Sequence, residues 1–121
     1  MPVIPVSALS FAELPGRTSA DPVPVSLGAH YSMRIVRILP GPRTPHRHPR
    51  SDEITYVAQG HGVAWEDGVH TPVEPGDVLL VPQGVPHATV AHAASGLVLV
   101  CFFPAANLED NIQELAGPLH N

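Results

Sequence analysis

Lysine is absent from this chain of 121 residues, whose six basic side chains are all arginine. Its absence excludes Schiff-base catalysis by lysine, a pyridoxal-phosphate lysine and a P-loop lysine. Cys101 is the only cysteine, so no internal disulfide is possible and a disulfide-stapled secreted scaffold is excluded. The longest stretch free of charged or strongly polar residues, 96–106, falls far short of the ~20 residues a membrane-spanning helix needs. Basic residues before an apolar stretch are also missing from Met1–Leu14, which therefore does not read as a signal peptide. The expectation is a cytoplasmic protein with no membrane partner. A net charge of −5 and no basic helix argue against a nucleic-acid partner. Charged residues make up 14% and hydrophobic residues 44%, which is not the balance of a disordered chain.

Fifteen prolines, ten glycines and eight histidines stand out against that background. A chain of this length buries roughly two-thirds of its unfolded surface, enough for one domain with one core. Residues 1–30 form a proline-rich arm with one short strand expected at Val3–Val6. From Tyr31 the hydrophobic period is two. Strand-like runs occupy Met33–Leu39, Glu53–Ala58, His61–Glu66, Val69–Glu74, Val78–Val81, His87–Val90 and Leu97–Phe103. Pro40-Gly41 and Pro75-Gly76 offer type II turns, and Asp67-Gly68 is a hairpin signal. Short strands with turns every 8 to 12 residues predict an all-β sandwich or barrel over residues 31–104. The tail, 105–121, reads as a short helix. Asn107 is placed to cap it, Leu108, Ile112 and Leu115 share one face, and Gly117-Pro118 ends it.

His46 and His48 are separated by one residue, so on a strand both imidazoles project to the same face. Glu53 follows across a short turn and opens the next strand, and His87 arrives from a remote segment after Pro82-x-Gly84. Three imidazoles and one carboxylate are a ligand set for a divalent first-row metal.

These residues resemble the cupin superfamily, in its small single-domain metal-binding form. Gly41, His46, His48, Glu53 and Gly60 fit its first motif, with four residues rather than five between Gly41 and His46. Gly76, Pro82, Gly84 and His87 fit its second, with Ala91 where an asparagine is frequent. The resemblance implies a double-stranded β-helix, or jelly-roll barrel, in which His46, His48, Glu53 and His87 bind one divalent transition metal (Fe, Mn, Ni, Co, Cu or Zn). It implies open coordination positions for a small-molecule substrate, and a homodimer in which the N-terminal arm is a candidate for exchange. With Glu53 inward, strand alternation turns Thr55 inward beside it and turns Trp65 in on the next strand, either as a wall of the substrate pocket or as a core or interface tryptophan. Either phenylalanine of Leu97–Phe103 can line that pocket, with Phe102 as the candidate. Cys101 reads as a small buried residue. Arg43, Arg47 and Arg50 surround the His-x-His turn; they can attract an anion, although a solvated rim is the favoured reading. The remaining histidines, His30, His61, His70, His92 and His120, have no spacing partner and are expected at the surface. Within the family, the expected activity is an oxidoreductase of the dioxygenase kind. The alternatives are a non-redox Lewis-acid enzyme (isomerase, cyclase or lyase) and a non-catalytic ligand binder.

Overall fold

Alternating sequence becomes strand wherever the Pro-Gly punctuation permits. The computed structural model, which describes residues 1–117 and Leu119, arranges the strands in two antiparallel sheets. In chain order they are β1 (Ala12–Leu14), β2 (Arg17–Ala20), β3 (Ser32–Ile38), β4 (His46–Arg47), β5 (Glu53–Gly60), β6 (Gly62–Glu66), β7 (Val69–Val73), β8 (Val78–Val81), β9 (His87–Ala91), β10 (Leu97–Phe103) and β11 (Gln113–Glu114). The first sheet runs β1-β2-β3-β10-β5-β8 and the second β11-β4-β9-β6-β7. Together they make a jelly-roll-like barrel. Among the described residues, no helix is long and apolar enough to cross a membrane.

The core follows from the two-residue period. On β10, Leu97, Leu99, Cys101 and Phe103 are buried while the residues between them are only partly so. The paired strand β5 buries Glu53, Thr55 and Val57 and exposes Ile54 and Tyr56. Register joins the two inner faces: Leu99 lies opposite Val57 and Cys101 opposite Thr55. Val36, Ile38, Val73 and Ala91 complete the apolar cluster, where each buried valine or leucine contributes about 1.5–3 kcal/mol. A register shift between Val98 and Leu99 interrupts the pairing, which resumes with Val98 opposite Gln59 and Leu97 opposite Gly60. Gly60 has a φ of +84°, and a β-carbon there would meet the Gly96 carbonyl oxygen at 2.0 Å. Only glycine fits that approach.

Two local expectations fail, both at the ends of the chain. Val3–Val6 forms no strand; a single 3-10 turn covers Val6–Ala8 instead. Pro2 and Pro5 lack the N–H groups that a ladder needs. The N-terminal hairpin lies further on, at β1 and β2, around Pro15 and Gly16, the latter with a φ of +69°. That Pro-Gly pair is the same turn signal used at Pro40 and Pro75.

The C-terminal helix is also absent. Leu108–Asp110 makes one 3-10 turn, with Asn107 left-handed (φ 57°) and making no side-chain cap bond. The chain then extends: β11 pairs with β4, and the Leu115 N–H bonds to the Pro45 carbonyl at 2.9 Å. A helix would need the Asn111 carbonyl for Leu115, but that oxygen is taken by His48. Tertiary hydrogen bonding thus overrides the periodicity. Pro118, the expected helix terminator, and His120 lie outside the described residues.

Candidate metal centre

Two loops converge inside the barrel. One runs from His46 to Glu53 and the other leads into His87, and they are joined by three hydrogen bonds. The Gly84 N–H bonds to the His48 carbonyl (2.9 Å), the Gln83 N–H to Asp52 Oδ1 (2.8 Å) and Gln83 Nε2 to the Pro49 carbonyl (2.8 Å). His46 and His87 sit directly opposite each other in register. The three imidazole centroids are 4.5, 5.0 and 5.1 Å apart. One donor atom each from His46, His48, Glu53 and His87 lies within 4.8 Å of the other three.

Backbone carbonyls decide which nitrogens face inward. His48 Nδ1–H donates to the Asn111 carbonyl at 2.8 Å, and His87 Nδ1–H to the Val85 carbonyl at 2.9 Å. In each neutral ring the remaining Nε2 carries a lone pair. Those two Nε2 atoms lie 2.9 and 3.0 Å from the same oxygen, Glu53 Oε1. Two lone pairs so close to a carboxylate oxygen repel unless a cation, either a proton or a metal ion, lies between them. The His48 contact does not meet hydrogen-bond geometry despite its length, and His46 Nδ1 is likewise buried without a partner. The other carboxylate oxygen, Oε2, accepts a hydrogen bond from Thr55.

The electrostatics agree. Burial alone would raise the Glu53 pKa, yet its contacts with His48 and His87 hold it well below the usual carboxylate range. Burial likewise works against an imidazolium at His87, but the hydrogen bond to Glu53 and that carboxylate's charge outweigh it and raise its pKa above 6.5. His46 goes the other way: burial first, then the neighbouring His87 and His48, lower it to about 2. It is neutral at any ordinary pH and ready to donate its lone pair. An ionised buried carboxylate costs several kcal/mol unless compensated. The four side chains thus form a site for a single divalent metal ion, and three imidazoles with one carboxylate suit several such metals.

The site lies in a cavity of about 760 Å³, walled by Val36, Trp65, Leu99 and Phe103 among others. Trp65 is partly buried, and Thr55 is fully buried behind Glu53. Phe102 lies on the other face of β10, its ring stacked with Tyr31 at 6.0 Å. Phe103 stands on the cavity side, 4.7 Å from the His48 ring centroid. Alternation from a buried Cys101 already implies this, since 101 and 103 share a face. Burial pushes the Cys101 thiol well up, so it is no thiolate nucleophile.

The three arginines separate. Arg50 is exposed, Arg47 donates from Nε to Gln113 Oε1 at 2.8 Å, and Arg43 is only 3% exposed. Arg43 therefore departs from the solvated-rim expectation. Of the other histidines, His30, His61, His70 and His92 are exposed.

Asn111 has no counterpart in the sequence argument, because nothing local marks a residue 63 positions from its partner. It is wholly buried. Its Oδ1 accepts the Arg50 N–H at 2.7 Å and its Nδ2 donates to Ser51 Oγ at 2.9 Å, while its carbonyl orients His48. It therefore clamps the turn between two metal ligands. Asn111→Ala orphans the Arg50 N–H at a cost of about 1–3 kcal/mol and weakens metal binding roughly 10- to 100-fold. Competition against a chelating dye measures this, and an unchanged affinity in the folded variant would contradict the role.

The cupin domain family matches residues 34–103, more than half of the chain. No curated protein matches the chain in sequence. Among solved structures, the polyketide cyclase RemF from Streptomyces resistomycificus is similar at 17% identity, over 97% of this chain and 87% of that one, with a TM-score of 0.81. Ectoine synthase from P. lautus is similar at 18% identity, over 100% and 94%, with a TM-score of 0.79. Pac13, a Streptomyces nucleoside dehydratase, is similar at 17% identity, over 95% and 91%, with a TM-score of 0.77. At these identities the likeness establishes the fold, and the activities are those of the named proteins. The dioxygenase-type expectation rested on family resemblance alone, and these matches overturn it: the similar structures are named for a cyclase, a synthase and a dehydratase, which are non-redox activities. With its family match, jelly-roll sheets and four converging ligands, this chain belongs to the cupin family.

Proposed function

We propose that this chain is a metal-dependent, non-redox enzyme of the cytoplasm that acts on a small organic molecule by isomerisation, cyclisation or elimination. The observation that carries the reading is the buried donor set of His46, His48, Glu53 and His87 on the wall of a cavity large enough for a small molecule. The cyclase, synthase and dehydratase activities of similar folds support it. A bound divalent ion supplies Lewis acidity, polarising a carbonyl or stabilising an enolate. The chain's own residues prepare the place. The Asn111 and Val85 carbonyls hold two imidazoles in the tautomer that points Nε2 inward, and Thr55 holds Glu53 Oε2 aside so that Oε1 faces the imidazoles. Val36, Leu99 and Phe103 keep the surrounding wall apolar and limit bulk water. With no lysine, proton transfer falls to a histidine, tyrosine, carboxylate or water.

Reloading chelator-treated protein with Zn(II), which has no redox chemistry, tests this directly. The expected result is hydrogen–deuterium exchange α to the carbonyl in a panel of small oxo compounds in D2O, followed by proton NMR and lost in His48→Ala. Turnover that instead requires Fe(II) and consumes O2 would contradict the reading.

A homodimer is part of the same proposal. Ile54, Tyr56, Val78 and Leu80 are 40–72% exposed on the outer face of the paired strands β5 and β8, and β8 is a sheet edge. A contiguous apolar face beside an open edge favours pairing of two copies. Light scattering is expected to give twice the chain mass, and a single-chain mass across micromolar concentrations would count against it.

A further inference from the structure

The cavity that holds the metal ligands also holds a buried arginine that pairs with no carboxylate among the described residues. Arg43 lines it and is 3% exposed. Its Nη1 donates to the Thr89 carbonyl at 2.9 Å, its Nε is buried without a partner, and no other hydrogen bond reaches its guanidinium among the described residues. No described carboxylate comes within ion-pair distance of it. The neighbouring arginines differ: Arg17 holds Glu114 at 3.2 Å, and Arg34 pairs with Asp21 and Glu109. Burial, and next the like charge of Arg17, lower the Arg43 pKa to about 10, so the group is still a cation at neutral pH.

Leaving a buried guanidinium unpaired costs several kcal/mol, yet the fold makes room for it. A β-carbon on Gly16 would meet Arg43 Cδ at 2.7 Å, and Gly16 has none. The position is equally specific. Thr89 lies two residues beyond His87 on β9, on the same face and about 7 Å along the strand. A guanidinium anchored there lines the same cavity as the metal ligands, with donors in the planar fork that matches a carboxylate.

We propose that Arg43 forms an anion subsite that selects small organic carboxylates and presents their other end to the metal centre. This names the substrate class of the proposed enzyme and rests on that reading only for the metal-facing end. The carboxylate preference stands on Arg43 alone.

The test uses benzoate and 2-oxobutanoate, each against its own amide, by calorimetry on the full chain in Zn(II)-loaded and chelator-treated forms. In the chelator-treated wild type, at least one carboxylate is expected to bind at least tenfold more tightly than its amide. Arg43→Gln is expected to erase that preference and Arg43→Lys to keep part of it. Nitrogen-15 spectra of the arginine side chains are expected to show the Arg43 Nε–H resonance moving on addition of that carboxylate. If Arg43→Gln does not fold, the wild-type comparison and the Arg43 resonance decide the matter. Equal affinity for every acid and its amide in metal-free protein, or an Arg43 resonance that does not move, would overturn the proposal. Failure of the metal-dependent reading shows differently: the preference and the Arg43 shift persist in metal-free protein while Zn(II) neither binds nor strengthens either.

Discussion

Glu53 places one carboxylate oxygen within 3.0 Å of Nε2 on both His48 and His87, where all three side chains are buried. The arrangement is stable only with positive charge at its centre, since two lone pairs and an anion otherwise repel at that distance. Much of the surrounding structure holds these groups there. The Asn111 and Val85 carbonyls set the ring tautomers, Thr55 turns the carboxylate, and the Pro82–Gly84 turn is bonded to the His48 loop. The tail gives up helix for the same purpose, spending the Asn111 carbonyl on an imidazole instead of on Leu115.

The cavity is apolar along Val36, Leu99 and Phe103, cationic at Arg43, and lined with metal donors in the His46, His48, Glu53 and His87 cluster. An apolar wall strengthens each electrostatic contact inside it, because fewer water dipoles screen the charges. Such a site distinguishes ligands by charge and by oxygen donors more sharply than by shape. The polarity of the lining therefore bears on substrate class more directly than the fold does.

The ligand set was legible in the sequence because its signals are local. The spacing of His46, His48 and Glu53 and the Pro-x-Gly turn before His87 are set by alternation and turn chemistry, which act over a few residues. The inward turn of Thr55 follows from the same period. The features that escaped are long-range or chemical. Asn111 meets its partners from the opposite end of the chain, the helix signal at Leu108, Ile112 and Leu115 lost to a β-bridge partner that periodicity cannot name, and Arg43 looks like its neighbours Arg47 and Arg50 until burial distinguishes it. Pro15-Gly16 was readable as a turn, and with it the N-terminal hairpin. The redox expectation failed for a different reason: one ligand set serves both redox and Lewis-acid chemistry, so the residues that bind the metal do not choose between them.

A proton and a metal ion compete for the space between Glu53 and its two imidazoles. His87, with its pKa raised above 6.5, carries a proton at pH 6 in the metal-free protein, and a metal ligand must give it up. Calorimetric titration of Zn(II) at pH 6, repeated in buffers of different ionisation enthalpy, counts the protons released. About one proton is expected to leave per ion bound, with release declining as the pH rises past the raised His87 value. Stoichiometric binding with no proton release at pH 6 would contradict it.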